Sequence, residues 1–65
     1  MSFIAVHSNK SEYLVNLNLV EAIKKTIDDR CLMLFATVKD GGQHYFIKTD
    51  ELYEQVKKMI YQNGG

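Results

Sequence analysis

Apolar side chains fill almost every position from Leu32 to Val38, so both faces of this segment are apolar. A strand with one face in water normally alternates apolar and polar residues, so the run predicts a β-strand that is covered on both faces. A chain of 65 residues can cover one face with its own helix but has few residues left for the other. The pattern therefore predicts a partner, most simply a second copy of the chain.

Turn residues divide the rest of the pattern into two antiparallel hairpins. The four predicted strands cover residues 3–7, 13–17, 30–39 and 43–49. Polar residues 8–11 separate the first two strands, and Asp40-Gly41-Gly42 separates the last two. Two glycines tolerate the positive φ angles of a tight turn, so we expect this second hairpin to set the register of the sheet.

Residues 18–26 fit either a short helix or a turn that leads into an extended segment. Asn18 and Glu21 have the spacing of a capping box, and the apolar residues that follow repeat at helical spacing. The sequence favours a helix of about two turns, which ends at Asp28-Asp29.

The C-terminal segment predicts an amphipathic helix of about three turns, capped by Thr49 or Asp50. Its apolar stripe is Leu52, Val56, Met59 and Ile60, and Asn63-Gly64-Gly65 ends it. The predicted fold is α+β and forms one small domain over residues 1–65. A four-stranded antiparallel sheet, with a short helix or turn between its two hairpins, carries the C-terminal helix on one face.

The composition of the chain argues against several classes of protein. Eight Lys and Arg balance eight Asp and Glu, whereas a nucleic-acid-binding protein usually carries a basic excess. A single cysteine excludes an internal disulfide, and no His, Cys, Asp or Glu residues have the spacing of a metal site. The chain shows neither a secretory signal nor an apolar run of the ~20 residues that span a membrane. We expect a cytoplasmic protein without metal or cofactor.

The residue types that could support catalysis have simpler structural explanations. Cys31 opens the most apolar strand and is expected in the core, and His7 and His44 are expected to be structural. The acidic pairs Asp28-Asp29 and Asp50-Glu51 fit a turn and a helix cap better than a general acid and base. The sequence therefore predicts a protein that is not an enzyme.

Two binding surfaces remain as hypotheses. The first is a protein contact surface formed by Met33, Phe35, Tyr53 and Tyr61, because tyrosine gives a large contact area at low entropic cost. Such a surface suits a small regulatory or adaptor protein that forms a homodimer. The alternative is a nucleic-acid-binding regulator that uses Lys24, Lys25, Arg30 and Tyr45.

Two stretches resemble the small FlbD-type proteins of bacterial flagellar operons, also called SwrD. Residues 16–23, Asn-Leu-Asn-Leu-Val-Glu-Ala-Ile, are similar to that family's Asn-x-Asp-Leu-Ile-Glu-x-Ile segment. Residues 42–47, Gly-Gln-His-Tyr-Phe-Ile, are similar to its Gly-Lys-Lys-Tyr-x-Val. The chain has Ile27 where the family tends to have proline. The resemblance implies a small cytoplasmic protein that supports flagellar motor function through protein contacts.

Overall fold

Five strands and one C-terminal helix form the part of the chain that the computed structural model describes, residues 2–64, with side chains described up to Gln62. In chain order the elements are β1 (Phe3–Ser8), β2 (Ser11–Asn16), a 3-10 turn (Leu17–Leu19), β3 (Val20–Lys25), β4 (Arg30–Val38), β5 (His44–Leu52) and α1 (Tyr53–Gly64). β1 and β2 form one antiparallel sheet, and β3, β4 and β5 form a second in that order. The α+β class is as predicted, but the single four-stranded sheet is wrong.

The additional strand lies in residues 18–26, where the sequence favoured a helix. Asn16, not Asn18, caps the single 3-10 turn, and its side chain accepts a hydrogen bond from the N–H of Asn18 at 3.0 Å. The chain is then extended, and a bulge between Val20 and Ala22 shifts its register against β4. A bulge adds one residue to the alternation of a strand, so the apolar spacing from Val20 to Ile23 resembles that of a helix.

Both hairpins have the turns that their sequences indicate. Asn9 and Lys10 adopt positive φ angles of 52° and 70° in the two-residue turn between β1 and β2. Gly41 and Gly42 have φ angles of 94° and 85° between β4 and β5. The second hairpin does not impose one register, however, because the pairing of β4 with β5 shifts at two places along its length.

The core lies between the strands and one face of α1. Among the described residues its buried hydrophobic side chains are Ile4, Val6, Val15, Cys31, Met33 and Val56. Helix α1 packs across β1, β4 and β5. It covers the face of β4 that carries Cys31 and Met33, whereas Leu32 and Leu34 on the other face stay half-buried. The expectation that Met33 contributes to a contact surface is therefore wrong, because its side chain is inaccessible.

Helix α1 begins later than predicted. Thr49 and Asp50 lie within β5 and do not cap it. Gln55 accepts a hydrogen bond from the N–H of Leu52 at 2.9 Å, which is one half of a capping box. The N–H of Tyr53 donates to the carbonyl of Asp29, in the turn between β3 and β4, at 2.8 Å. Helix α1 continues to Gly64, and Gly65 of the predicted stop lies outside the described residues.

In the part of the chain that the structure describes, no helix has the length and apolar character needed to cross a membrane.

The packing of Met33 gives the first testable prediction. Met33→Ala removes a fully buried side chain from a small core, so we expect it to lower the free energy of unfolding by about 2–5 kcal/mol. Met33→Leu keeps the volume and should cost less than about 1.5 kcal/mol. Urea titration followed by circular dichroism measures both variants, and equal stability of Met33→Ala and the parent chain would contradict this packing.

Candidate functional site

A bulge of three residues in β5 places the polar side chains that form this surface. Arg30 pairs with Leu52 and Leu32 pairs with Lys48, so three residues of β5 lie opposite Cys31 alone. These three residues are Thr49, Asp50 and Glu51. The Thr49 hydroxyl is buried and donates to the main-chain carbonyl of Glu51 at 3.0 Å, which holds the irregular backbone in place. Bulges reorient side chains, and here two consecutive carboxylates point toward the hairpin of β1 and β2.

Glu51 and the β5 backbone hold the end of β1. One carboxylate oxygen of Glu51 accepts from the main-chain N–H of His7 at 2.8 Å, and the other lies 2.6 Å from His7 Nδ1. The Ser8 hydroxyl donates to the carbonyl of Lys48 at 2.8 Å. β1 therefore lies alongside β5 through bonds that mostly use side chains, not through a regular ladder.

Asp50 holds the turn between β1 and β2. Its two carboxylate oxygens accept from the main-chain N–H groups of Asn9 at 3.3 Å and Lys10 at 2.8 Å. Both turn residues have positive φ angles, so their N–H groups converge on one anion, as in other anion-binding turns. The Asp50 carboxylate therefore connects the bulge of β5 to the turn between β1 and β2.

The pair of His7 and Glu51 is electrostatically coupled. The hydrogen bond with Glu51 raises the pKa of His7 above its usual value of 6.5 and outweighs desolvation. Partial burial alone would raise the pKa of Glu51, but the hydrogen bonds from the His7 main chain and ring lower it overall. Protonated His7 and ionised Glu51 thus favour each other at mildly acidic pH.

A polar cleft lies beside this contact. It measures about 610 Å³ and is lined by Ser8, Asn9, Lys10, Asp28, Arg30, Lys48, Thr49 and Asp50. Lys48 Nζ is 3.2 Å from Asp28 Oδ2, and an Arg30 guanidinium nitrogen donates to the carbonyl of Asp50. The hydrogen bonds from Thr26 and Lys48 lower the pKa of Asp28. The lining of the cleft carries three cations, Lys10, Arg30 and Lys48, and two carboxylates, Asp28 and Asp50, so most of its positive charge is compensated.

A larger groove of about 740 Å³ separates the hairpin from β4 and β5 and is mostly apolar. Its lining residues are Phe3, Ser8, Tyr13, Leu14, Val15, Asn16, Leu19, Phe35, Tyr45, Phe46, Ile47 and Lys48. We call this surface the hairpin groove. Leu14 is 72% exposed and Phe46 59% exposed. Because Phe46 is the cross-strand partner of Leu34, the groove adjoins the face of β4 that α1 leaves uncovered.

A second, smaller groove of about 300 Å³ runs between β3 and α1, and we call it the β3 groove. Its lining residues are Val20, Ala22, Ile23, Tyr53, Lys57, Ile60 and Tyr61. Tyr61 is 69% exposed, and the Lys25 ammonium lies 5.8 Å from the centre of the Tyr53 ring. The groove therefore combines apolar walls with a basic rim.

The structure distributes the predicted protein contact residues over different places. Met33 is in the core, Phe35 lines the hairpin groove, and Tyr53 and Tyr61 line the β3 groove. Tyr53 and Tyr61 are therefore brought together, but Phe35 is not part of their surface.

The residues proposed for nucleic-acid binding do not share one surface. Lys24 and Lys25 pair with Leu32 and Cys31, so they lie near Arg30 at the end of the sheet where β4 begins. Tyr45 lies toward the opposite end of the β4–β5 pair, with Lys39 Nζ 5.2 Å from its ring centre. The basic residues are thus separated from the exposed aromatic ring that a stacking surface would need.

The groups considered for catalysis are buried, or lie far apart and contact other polar groups. Cys31 is fully buried, and burial raises its thiol pKa to about 11, so it carries little thiolate at neutral pH. His44 Nδ1 lies 2.8 Å from the carbonyl of Phe35, far along the sheet from the contact of His7 with Glu51. Within residues 2–64, no three His, Cys, Asp or Glu side chains cluster to hold a metal ion.

The sequence interpretation missed the hairpin groove and the docking role of Asp50 and Glu51. The sequence did contain a signal for the groove. Leu14 and Phe46 are each apolar at a strand position where the residue facing solvent would normally be polar. The acidic pair gave no such signal, because two acids before a helix fit its first turn equally well.

Searches against protein-family models, curated proteins and solved structures found no match to this chain.

The contact between Asp50 and the turn predicts a measurable loss of stability. Asp50→Ala removes the acceptor of two main-chain N–H groups, and because these are exposed and can bind water the cost should be about 1 kcal/mol. Asp40→Ala, in the exposed turn between β4 and β5, is the matched control and should change stability by less than about 0.5 kcal/mol. Urea denaturation distinguishes the two, and equal effects would contradict the docking role of Asp50.

The pair of His7 and Glu51 predicts a pH-dependent contribution to stability. The folded state raises the pKa of His7, so the stabilisation is present below pH 6.5 and is lost as the pH rises through the raised value. The difference in unfolding free energy between the parent chain and His7→Gln should therefore be larger at pH 6 than at pH 9. In a Glu51→Gln background this pH dependence should become smaller, because the largest cause of the raised His7 pKa is removed while Glu12 and Asp50 remain. A difference that grows with pH would contradict the assignment.

Proposed function

We propose that this protein is a non-catalytic regulatory or adaptor protein that acts by binding other proteins and by self-association. The observation that carries the proposal is the amount of apolar surface left open. Phe3, Tyr13, Leu14, Leu19, Tyr45 and Phe46 are all exposed around the hairpin groove. Monomeric soluble proteins rarely leave large contiguous apolar patches uncovered, so such a patch marks an interaction site.

The chemistry of the hairpin groove indicates the kind of protein segment that it binds. Its walls are aromatic and aliphatic, and Lys39 Nζ lies 5.2 Å and 5.7 Å from the ring centres of Tyr45 and Phe46. An apolar segment of a partner that also carries an acidic residue complements both the walls and Lys39. We therefore assign an apolar, acidic segment of another protein to this groove.

The resemblance to FlbD-type proteins extends the proposal to a cytoplasmic protein that supports flagellar motor function. The resemblance supplies this part of the proposal, and the geometry of the groove supplies the binding mode.

A matched pair of variants tests the proposal. Leu14→Glu places a carboxylate in the hairpin groove, whereas Ile27→Glu places one at a fully exposed position outside it. We expect the parent chain and Ile27→Glu to retain the same partner from a lysate of the source organism, and Leu14→Glu to lose it. The partner is then identified by mass spectrometry and purified.

With purified components, Leu14→Glu should weaken the complex by at least tenfold, or about 1.4 kcal/mol, by isothermal titration calorimetry. Circular dichroism shows that the variant remains folded. Equal binding by both variants would place the interaction outside this groove. Retention of nucleic acid in place of a protein would overturn the proposal.

A further inference from the structure

Strand β3 is an open edge of its sheet. Among the described strands it pairs with β4 alone, while the hairpin lies against the other edge strand, β5. An edge strand presents unpaired main-chain N–H and C=O groups, which can pair with a strand of another chain.

The groups that β3 presents at this edge follow from its pairing with β4. The N–H of Thr26 donates to the carbonyl of Arg30 at 2.9 Å, so Thr26 directs its main-chain groups toward β4. From Ala22 onward, beyond the bulge, the direction of the main-chain groups alternates from one residue to the next. The main-chain groups of Lys24 and Ala22 therefore also point toward β4, whereas the N–H and C=O groups of Ile23 and Lys25 point away from the sheet.

We propose that two copies of the chain pair antiparallel through β3, with Ile23 facing Ile23 of the other copy across a two-fold axis. This register connects residues whose main-chain groups both point outward. Glu21, the residue at the bulge of β3, then lies on the same side of the axis as Lys25 of the other copy, so their long side chains can form two opposite-charge pairs. The inference deepens the self-association that forms part of the proposed function, and names its surface.

Other registers lack this complementarity. A shift of one residue would set outward groups of one copy against inward groups of the other, so the hydrogen bonds could not form. A shift of two residues places Lys25 opposite Ile23 or Leu19 and leaves no opposite charges facing each other. Strand β2 has the other open edge, but Glu12 is its only charged residue, so a symmetric antiparallel pairing there forms no opposite-charge pair.

The β3 groove gives the dimer side-chain contacts in addition to the main-chain bonds. Ile23 and Tyr61 line this groove directly beside the edge. Antiparallel pairing forms one sheet of six strands, three from each copy, and places both α1 helices on the same face. The grooves of the two copies then adjoin, so Tyr53 and Tyr61, the two predicted contact residues that lie together, contribute to the interface.

The lysines and the bulge of β3 allow a competing explanation. Lysines and bulges on an edge strand also serve to prevent pairing between chains. In that case Lys24 and Lys25 would keep the chain monomeric, and exchanging the charges at positions 21 and 25 would have no effect on association. The two explanations therefore make opposite predictions for charge-exchange variants.

The test uses sedimentation velocity and light scattering on the intact chain over a range of concentrations. The parent chain should form a dimer. Glu21→Lys and Lys25→Glu each place like charges opposite each other in both pairs, and each should weaken the dimer by roughly tenfold. An equimolar mixture of the two variants should associate again, because each heterodimer contains two opposite-charge pairs. Misfolding of either variant could not produce this rescue.

Glu12→Lys on the edge of β2 is the matched control and should dimerise like the parent chain. A parent chain that stays monomeric at all concentrations would overturn the inference. A dimer that Glu21→Lys leaves intact would also overturn it, but would leave the proposed self-association standing through another surface, such as the uncovered face of β4. Partner binding in the hairpin groove is measured independently with Leu14→Glu, so the two proposals can fail separately.

Discussion

The fold depends on the contact between the bulge of β5 and the hairpin of β1 and β2. This hairpin contributes three of the buried apolar side chains in the described core, Ile4, Val6 and Val15. An isolated hairpin is marginally stable in water, so these side chains remain buried only while the hairpin stays against β5. Hydrogen bonds to the carboxylates of Asp50 and Glu51 take the place of a continuous ladder between the two sheets. A chain this short has few other contacts that could compensate for their loss.

This mode of docking also explains why the molecule has open surfaces. The hairpin approaches β5 through its turn and the end of β1, so the hairpin groove remains between the hairpin and the main sheet. Helix α1 covers one face of β4, and no described element covers the face that carries Leu32 and Leu34. The apolar pattern of β4 predicted that both of its faces are covered. The second face is open in this structure and is accessible to another chain. The proposed binding and dimerisation assign the hairpin groove and the β3 edge to different partners.

The sequence predicted those features that depend on local backbone chemistry. The turn at Gly41-Gly42 and the C-terminal amphipathic helix follow from glycine conformation and helical periodicity, and both are present. It failed at the bulges, because a bulge changes the spacing of apolar residues without a recognisable residue type. The spacing of Val20 and Ile23 therefore indicated a helix in what is a bulged strand. Likewise Asp50 and Glu51 fitted a helix cap, and only the tertiary position of the hairpin gives them their role.

Amide hydrogen exchange measured by NMR at Asn9 and Lys10 tests the central contact most directly. These two N–H groups lie in an exposed turn, and their bonds to the Asp50 carboxylate are what would protect them. We expect protection comparable to that of amides within the β1–β2 ladder, because the turn can leave β5 only together with the rest of the hairpin. Exchange at the rate of an unstructured peptide would show that the carboxylate does not hold the turn, and would contradict the account.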